Sequence, residues 1–215
     1  MKLGLISDIH AYLSHLQQAI ELFEHNGVEH ILCAGDLIDG GKDGDAVVSF
    51  LRKRQILCVQ GNHDSQVFAD QAWIRRAMRT TGETTHPFLL SSETVAYVSS
   101  LPIKLESVFS DISFCLAHGT PYSNTTYLFP DADEQRFKEV ADSTSAQIIV
   151  LGHTHVPMCV NVGKKWILNP GSVYHNRFDA TRTCAVLQLP DLAFKVFDLS
   201  TKSQIPLNIR TINTE

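Results

Sequence analysis

The feature that most constrains this sequence is the tetrapeptide Gly61-Asn62-His63-Asp64, which directly follows an apolar run at residues 56–59. The run has the length and composition of a buried strand, and the glycine marks a turn at its end. Asn62 and His63 place an amide oxygen and an imidazole at that turn, and we expect Asp64 to orient the ring of His63. On its own, however, the tetrapeptide is equally compatible with an ordinary polar turn.

Similar polar groups follow apolar runs elsewhere in the chain. They are Asp8-Ile9-His10, Gly35-Asp36, His118-Gly119 and Gly152-His153-Thr154-His155. The first three units alternate strand and helix patterns, which implies right-handed crossovers and a largely parallel sheet. Strands of such a sheet present their polar ends at one edge, so we expect these groups to converge. A helix-capping role would account for Asp8 but would leave His10 unexplained.

The order of these motifs resembles that of the calcineurin-like metallophosphoesterases: D-x-H, G-D, G-N-H-D, H-G and G-H-x-H. The turn Asn169-Pro170-Gly171-Ser172 matches one that the family carries beside its site. The resemblance implies an α/β fold, a two-sheet β-sandwich of mixed parallel and antiparallel strands flanked by helices. We expect a single domain over residues 1–215. Hairpin patterns at 158–168 and 183–199 predict that the late chain is antiparallel and forms the second sheet.

The resemblance also implies a binuclear metal site whose ligands are carboxylate, amide and imidazole groups. They divide into a first set, Asp8, His10, Asp36 and His155, and a second set, Asp36, Asn62, His118 and His153, with Asp36 bridging. Such ligands, with no thiolate, suit Mn²⁺, Fe²⁺, Zn²⁺ or Ni²⁺, and we favour manganese. Two such cations activate a shared water, whose bridging hydroxide attacks, and hold the phosphoryl oxygens for in-line displacement.

His63 belongs to neither ligand set. The resemblance implies that His63, oriented by Asp64, donates a proton to the leaving oxygen or stabilises its charge, a contribution of about 10²–10⁴ in rate. Some small phosphodiesterases of the family carry cysteine here, and the histidine keeps phosphomonoesters within reach. The remaining histidines are expected to be solvent-exposed or core residues, on a helix or its end or in loops without partners. They are His15, His25, His30, His86 and His175.

Departures from the family pattern bear on the substrate. Many protein phosphatases of the superfamily carry D-R-G and N-H-E, whereas here Asp39 precedes Gly40-Gly41 and the third motif ends in Asp64. A phosphoprotein substrate is therefore not favoured. Small bacterial members often have D-I-H-G-N, and this chain instead has Ala11-Tyr12, so any polar contact made there is lost or replaced.

Side chains close to the motifs are expected to contact the substrate. The candidates are Tyr12, Tyr122, Asn124 and Arg177, and Tyr127 lies in the same polar loop as two of them. For Arg177 a surface salt bridge is an equal alternative. Residues 65–102 interrupt the strand pattern with helical patterns at 65–79 and 91–100, and we interpret them as a helical insertion that can act as a lid. A plain packing or oligomer surface is at least as compatible, because the sequence shows no hinge.

Composition limits the partners. A net charge of −5 argues against an extended nucleic-acid surface, and no apolar run is long enough to span a membrane. Five cysteines without a C-x-x-C pair argue for buried thiols rather than a disulfide framework. Because no targeting segment opens the chain, we expect a cytoplasmic protein, and a homo-oligomer remains open.

The sequence thus predicts a metal-dependent phosphoesterase that acts on small phosphodiesters or nucleotide-like phosphate esters. A phosphomonoesterase or phosphoprotein phosphatase with the same site is one alternative. Another is a non-catalytic metal-binding interaction scaffold, as in the retromer subunit that keeps this fold. That scaffold departs from the catalytic motifs, whereas here all seven ligand positions and His63 hold workable residues. The physiological substrate and the resident metal are not determined by the sequence.

Overall fold

Two six-stranded sheets form the centre of the computed structural model, which describes residues 1–214; Glu215, the last residue of the expected domain, lies outside the described residues. The mixed strand directions and flanking helices confirm the expected α/β two-sheet fold. In chain order the strands are β1 (Lys2–Ile6), β2 (His30–Cys33), β3 (Leu57–Cys58), β4 (Lys104–Phe109), β5 (Ile112–Ala117), β6 (Ile148–Val150), β7 (Met158–Val162), β8 (Lys165–Asn169), β9 (Thr183–Gln188), β10 (Ala193–Asp198), β11 (Gln204–Ile205) and β12 (Ile209–Ile212).

The helices follow the predicted periodicity, with boundaries that differ by a few residues. They are α1 (Leu13–Asn26), α2 (Gly44–Lys53), α3 (Asn62–Ser65), α4 (Val67–Thr81), α5 (Ser92–Ser100) and α6 (Glu134–Asp142). Helix α1 ends at Gly27, whose φ of 68° is a left-handed conformation that glycine adopts without strain. Helices α5 and α6 are capped by Ser91 and Asp133, the residues just before them, whose side chains accept hydrogen bonds from backbone N–H groups of the first turn.

The first sheet has the strand order β11-β10-β9-β1-β2-β3. Strands β1, β2 and β3 run parallel, as the strand-helix alternation predicts. Their carboxyl ends therefore lie at the same edge of the sheet, where the chain continues into Asp8, Asp36 and Asn62. This topology brings together three motifs that lie far apart in the sequence.

The second sheet has the strand order β12-β7-β8-β6-β5-β4, in which β6 runs parallel to both β5 and β8. Strand β5 leads to His118, and β6 leads to residues 152–155. The prediction that the late strands build this sheet is only partly right, because β9 pairs with β1 and extends the first sheet. Strand β9 is almost wholly buried, which suits a central strand.

One core cluster lies between the two sheets and contains fully buried side chains from both, including Leu5, Leu32, Phe114 and Val150. A second cluster packs the first sheet against α1 and α2, and a third packs the second sheet against α6. Truncating one such leucine to alanine costs about 2–5 kcal/mol. Packing of this strength keeps the two sheets in a fixed position relative to each other.

The segment 65–102 contains helices α4 and α5, as expected. Helix α5 packs against both α2 and α4, which attaches the segment to the first sheet. Its role as a lid stays a prediction. All five cysteines are buried and free, in agreement with the expectation of buried thiols. Among residues 1–214, no helix has the length and apolarity that crossing a membrane requires.

Candidate metal centre

The backbone at the candidate site adopts an unusual conformation. Five of the seven expected ligands have left-handed φ angles: Asp8 at 54°, His10 at 50°, Asp36 at 54°, His153 at 65° and His155 at 61°. Non-glycine residues seldom adopt this conformation, and such strain is concentrated at functional sites. Backbone hydrogen bonds hold the first two motif loops together, since the N–H groups of Ile9 and His10 both donate to the Asp36 carbonyl, at 2.8 and 3.0 Å.

Two motif glycines are required by close approach of neighbouring chains. A Cβ on Gly61 would overlap the carboxylate of Asp36, and a Cβ on Gly152 would overlap the hydroxyl of Ser7. Gly61 lets the loops after β2 and β3 of the first sheet approach each other, and Gly152 lets the loop after β6 of the second sheet approach the end of β1. Convergence of the motifs therefore depends on glycine at these two positions.

The first group of ligands consists of Asp8, His10 and His155. His155 Nε2 lies 3.2 Å from Asp8 Oδ1 and 3.3 Å from His10 Nε2. His155 Nδ1 lies 2.9 Å from the His175 carbonyl, which can only accept a hydrogen bond, so Nδ1 carries the proton. In this tautomer Nε2 presents a lone pair to the buried Asp8 Oδ1, which has no hydrogen-bond donor. Two acceptors that face each other need a cation between them.

The second group consists of Asp36, His118 and His153. His118 Nδ1 donates to the Ala34 carbonyl at 2.6 Å, and His153 Nε2 donates to the Thr125 carbonyl at 3.1 Å. Their other ring nitrogens face each other across 3.1 Å. In its neutral form each imidazole is therefore fixed in the tautomer that turns a lone pair inward, as in metal sites whose outer N–H groups are bound by carbonyls.

Asp36 and Asn62 complete the cluster. Asp36 Oδ2 lies 3.2 Å from His118 Nε2 and 3.8 Å from His10 Nε2, so this oxygen faces both groups. Asn62 Oδ1 lies 3.0 Å from His118 Nε2. The structure thus brings all seven expected ligand residues together, and their oxygen and imidazole donors fit divalent transition-metal ions.

Charge compensation in the cluster follows from these contacts. Burial alone would raise the pKa values of Asp8 and Asp36, but the surrounding imidazoles outweigh it and hold both below their usual range. Burial opposes protonation of His118, yet Asp36 and Asp8 raise its pKa to about 9. Burial and the neighbouring His118 lower the pKa of His153 to about 4. Without a cation, a proton on His118 partly balances the carboxylates, and metal binding would release it.

His63 lies beside the cluster, and its backbone N–H donates to Asp36 Oδ1 at 3.0 Å. Its ring centroid is 5.0 Å from that of His10. His63 Nδ1 lies 2.6 Å from Asp39 Oδ2, and this hydrogen bond raises the pKa of His63 and lowers that of Asp39. The partner of the histidine is therefore Asp39, which the sequence reading singled out only as a departure from the phosphatase pattern.

The expectation that Asp64 orients His63 is wrong. Asp64 is fully buried, and its carboxylate accepts hydrogen bonds from three backbone N–H groups. The donors are Leu37, Ile38 and Gly61, at 2.9, 3.3 and 2.9 Å. Adjacent residues on a helix point about 100° apart, so His63 on α3 faces the site while Asp64 faces the interior. Burial, reinforced by Asp36, raises the pKa of Asp64 to about 7.

Comparison with known proteins identifies the family. Residues 1–191 match the model of the calcineurin-like phosphoesterase superfamily domain. The chain belongs to this superfamily. It is similar to the phosphodiesterase YfcE of Escherichia coli K12, with 25% identity over 183 residues that cover 80% of this chain and 79% of YfcE.

Solved structures of the superfamily share the fold. A metallophosphoesterase from Sphaerobacter thermophilus superposes with a TM-score of 0.69 at 24% identity, covering 91% of this chain and 86% of the other. Vps29 from Entamoeba histolytica, solved with zinc, superposes with a TM-score of 0.58 at 17% identity, covering 95% and 96%. Family membership and the ligand groups together support a metal-dependent hydrolase and confirm the resemblance found in the motifs.

The residues expected to contact substrate lie at different distances from the phosphoesterase site. Tyr12 stacks on Tyr174 with ring centroids 4.6 Å apart, and Tyr174 in turn lies 5.4 Å from the ring of His10. Asn124 Nδ2 donates to the Gly61 carbonyl at 3.3 Å, so it supports a motif loop. Tyr122 is exposed, and within residues 1–214 it makes no hydrogen bond or ring contact with a site residue.

Arg177 lies at the rim of the site. Its guanidinium donates to the His153 carbonyl at 3.2 Å and lies 5.0 Å from the ring of Tyr127, which stacks on His153 at 3.8 Å. Among the described residues, no carboxylate lies within ion-pair distance of Arg177, so the alternative of a surface salt bridge is not observed.

Backbone carbonyls are the contacts that sequence reasoning missed. His175 was expected to lack partners, yet its carbonyl fixes the tautomer of His155. His86 likewise accepts a hydrogen bond from the Phe88 N–H, and His30 begins strand β2 rather than lying at a helix end. Backbone carbonyls leave no signal in a pattern of side chains. The turn at Asn169 was visible in the sequence, and the structure places it at the site, where Asn169 Nδ2 donates to the Gly152 carbonyl at 2.7 Å.

Proposed function

We propose that this protein is a binuclear metal-dependent phosphodiesterase of small substrates. The observation that carries the proposal is the arrangement of acceptors: Asp8 Oδ1 and three imidazole lone pairs face inward in a buried cluster, and each of those imidazoles has its outer N–H bound to a carbonyl. Such an arrangement is stable only around positive charge, and Asp36 lies where it can serve two cations.

Two of the three candidate ligand groups correspond to the expected metal positions, and the third joins His10 and Asp36 to His63. Asp8, His10 and His155 would hold one cation, and His118 and His153, with Asn62, would hold the other, while Asp36 would bridge them. When bound, such a pair of cations lowers the pKa of a water between them and neutralises charge on the phosphoryl oxygens. The mixed oxygen and imidazole donors favour manganese, with iron, zinc and nickel as alternatives.

His63 is the proposed proton donor to the leaving group. Its Nδ1 is bound to Asp39, so Nε2 is the ring nitrogen that would donate a proton to the leaving oxygen. A water oxygen forms the new bond to phosphorus, the bond to the leaving oxygen breaks with its electron pair on that oxygen, and His63 transfers its proton there. The products are a phosphomonoester and an alcohol. The attacking water leaves its hydroxyl on phosphorus and releases one proton to solvent, and His63 regains one proton from solvent, so that one water is consumed for each ester bond broken.

Two observations favour diesters over monoesters. The chain is similar to proteins named phosphodiesterase, YfcE of E. coli and MJ0936 of Methanocaldococcus jannaschii, the latter with 22% identity. In addition, Arg177 is the arginine next to the ligand cluster, and its guanidinium is engaged with a carbonyl and a tyrosine ring. A monoester dianion demands more positive charge than a diester monoanion, so this site suits the diester better.

The alternative of a binding scaffold rests on the fold shared with Vps29. The complete ligand cluster and the His63–Asp39 pair favour the enzyme. His63 lies 2.6 Å from the Asp39 carboxylate, and a protein that only binds a partner does not require such an oriented proton donor.

The experiment is a metal-reconstitution panel. Purified protein is stripped with chelator, reloaded with Mn²⁺, Fe²⁺, Zn²⁺ or Ni²⁺, and assayed with bis(4-nitrophenyl) phosphate and 4-nitrophenyl phosphate, while metal content is measured in parallel. We expect about two metal ions per chain and a higher kcat/KM for the diester. Two bound metals with no hydrolysis of either ester would favour the scaffold, and a preference for the monoester would favour a phosphatase.

A further inference from the structure

A cavity of about 230 Å³ opens directly beside His63. It lies between residues 38–44, the first two turns of α4 and residues 88–90. His63 and Asp39, the pair placed to protonate the leaving oxygen, form one of its walls. Whatever the cavity binds therefore lies next to His63, the proposed proton donor to the leaving oxygen.

The far wall of the cavity is apolar and is held in place by a buried glutamine. Gln71 is only 4% exposed, its Nε2 donates to the Phe88 carbonyl at 3.0 Å, and its Oε1 accepts from the Leu90 N–H at 2.8 Å. These two hydrogen bonds fix residues 88–90 against α4. The apolar lining residues are Ile38, Val67, Ile74, Phe88 and Leu90.

The charged groups of the lining balance in sign. Asp39 and Asp70 contribute two carboxylates, Lys42 contributes one ammonium group, and His63, hydrogen-bonded to Asp39, contributes the second positive charge when it holds the proton it donates. The lining therefore offers no net attraction to a second charged group on the substrate, whereas its apolar side chains favour an uncharged group. The volume is also below the roughly 300–1,000 Å³ of pockets that enclose a whole ligand, so the cavity suits a single ring.

We infer that this cavity binds the leaving alcohol of the substrate and selects an uncharged alcohol that carries one apolar or aromatic ring. The inference rests on the proposed phosphodiesterase function and defines its substrate class. It also gives the helical segment 65–102 a role in specificity, since α4 and Phe88 supply the apolar wall.

Two phenylalanine variants provide a matched test. Phe88 lines the cavity and is 40% exposed, and Phe68 lies on α4 outside the lining and is 63% exposed, so neither Phe88→Ala nor Phe68→Ala removes a core residue. With methyl 4-nitrophenyl phosphate, we expect Phe88→Ala to lower kcat/KM about tenfold and Phe68→Ala to leave it unchanged, in line with the loss of one apolar contact in a specificity pocket.

Binding by the metal-free protein gives a second readout. In ligand-observed NMR, benzyl alcohol should bind the wild type and Phe68→Ala but not Phe88→Ala, and benzoate should bind the wild type more weakly. Asp70→Asn should improve benzoate binding by about two- to fivefold, the effect of one partly exposed charge.

The possible results separate the two proposals. If the loaded wild type hydrolyses the diester and both phenylalanine variants behave alike, the cavity is not the alcohol site although the phosphodiesterase assignment stands. If no ester is hydrolysed with any metal, the assignment fails, and the NMR comparison then decides whether the cavity binds a neutral ring. Equal binding of benzyl alcohol and benzoate, or binding that does not depend on Phe88, overturns the inference.

Discussion

The ligand cluster and the cavity beside it are built in opposite ways. In the cluster, five backbone positions are left-handed, the carboxylates are buried, and each of three imidazoles is held by a carbonyl. The cavity is lined by apolar side chains and by the partly exposed charged side chains of Asp39, Lys42 and Asp70. One buried glutamine fixes its apolar wall to α4. We therefore expect the cluster to tolerate almost no change, because its carboxylates are buried and three of its imidazoles are each fixed by a carbonyl, whereas the lining of the cavity should tolerate substitution.

The largest effect is expected at Asp36, which faces both ligand groups. Asp36→Asn removes the charge that would bridge two cations, and we expect kcat to fall by at least about 10³-fold, the equivalent of several kcal/mol of electrostatic stabilisation. Metal content per chain should fall as well. The matched control is Asp45→Asn, an acid-to-amide change on the exposed face of α2. This variant should keep the turnover and the metal content of the wild type. Unchanged turnover in Asp36→Asn would refute the bridging role.

The next comparison separates the two acids near His63. His63→Ala should lower kcat by about 10²–10⁴-fold. Asp39→Asn removes the partner of the Nδ1 proton and should lower kcat by a smaller factor, about tenfold, while the melting temperature stays close to that of the wild type.

Asp64→Asn should behave in the opposite way. Its carboxylate binds three backbone N–H groups in the interior, so the variant should lose about 1–3 kcal/mol of folding free energy. Activity measured below the melting temperature should fall less than in Asp39→Asn. If Asp64→Asn were instead stable and inactive, the function of His63 would depend on Asp64 and not on its contact with Asp39.

A third comparison concerns the close approach at Gly152. Gly152→Ala places a methyl group against the Ser7 hydroxyl, and we expect a loss of about 1–3 kcal/mol, as for other overpacked positions. For a chain of this size that corresponds to a fall in melting temperature of about 2–4 °C per kcal/mol. The double variant Ser7→Ala/Gly152→Ala should recover part of the loss. Absence of any recovery would mean that the Ala34 carbonyl or Asp8 sets the limit instead.

The difference between the two regions also explains what the sequence could predict. The seven expected ligand residues lie together because the motifs that carry the family resemblance follow strands, and a parallel sheet brings strand ends together. The partner of His63 was misassigned to Asp64 because proximity in sequence was taken for proximity in space. Asp39 lies 24 positions away and reaches His63 only through the fold of the loop after β2.

The cavity was beyond sequence reasoning for a related reason. Helical periodicity predicted α4 and α5, but the wall depends on hydrogen bonds from Gln71 to the backbone at residues 88 and 90, and backbone groups have no sequence signature. Strand β9 was placed in the wrong sheet because a hairpin pattern gives strand direction and not the neighbour with which the hairpin pairs.

The smallest effect is expected where the helical segment is attached to the rest of the fold. Asp45 on α2 accepts hydrogen bonds from the backbone N–H and the hydroxyl of Ser91, at 3.0 and 2.8 Å, just where α5 begins. Partial burial alone would raise the pKa of Asp45, but hydrogen bonds from Thr94 and Ser91 outweigh it and lower the pKa. Asp45→Asn should therefore cost about 0.5–1.5 kcal/mol at neutral pH, the net value of one such contact.

The pH dependence of that loss gives the sharpest form of the test. Because the pKa of Asp45 is lower in the folded than in the unfolded protein, its stabilisation is complete above about pH 4, the usual value for an aspartate, and disappears as the pH falls through the folded pKa. Urea unfolding of wild type and Asp45→Asn should thus differ at pH 7, and the difference should shrink as the pH falls below about 4. A difference that persists at low pH would show that the contact acts through packing and not through the charge of the carboxylate.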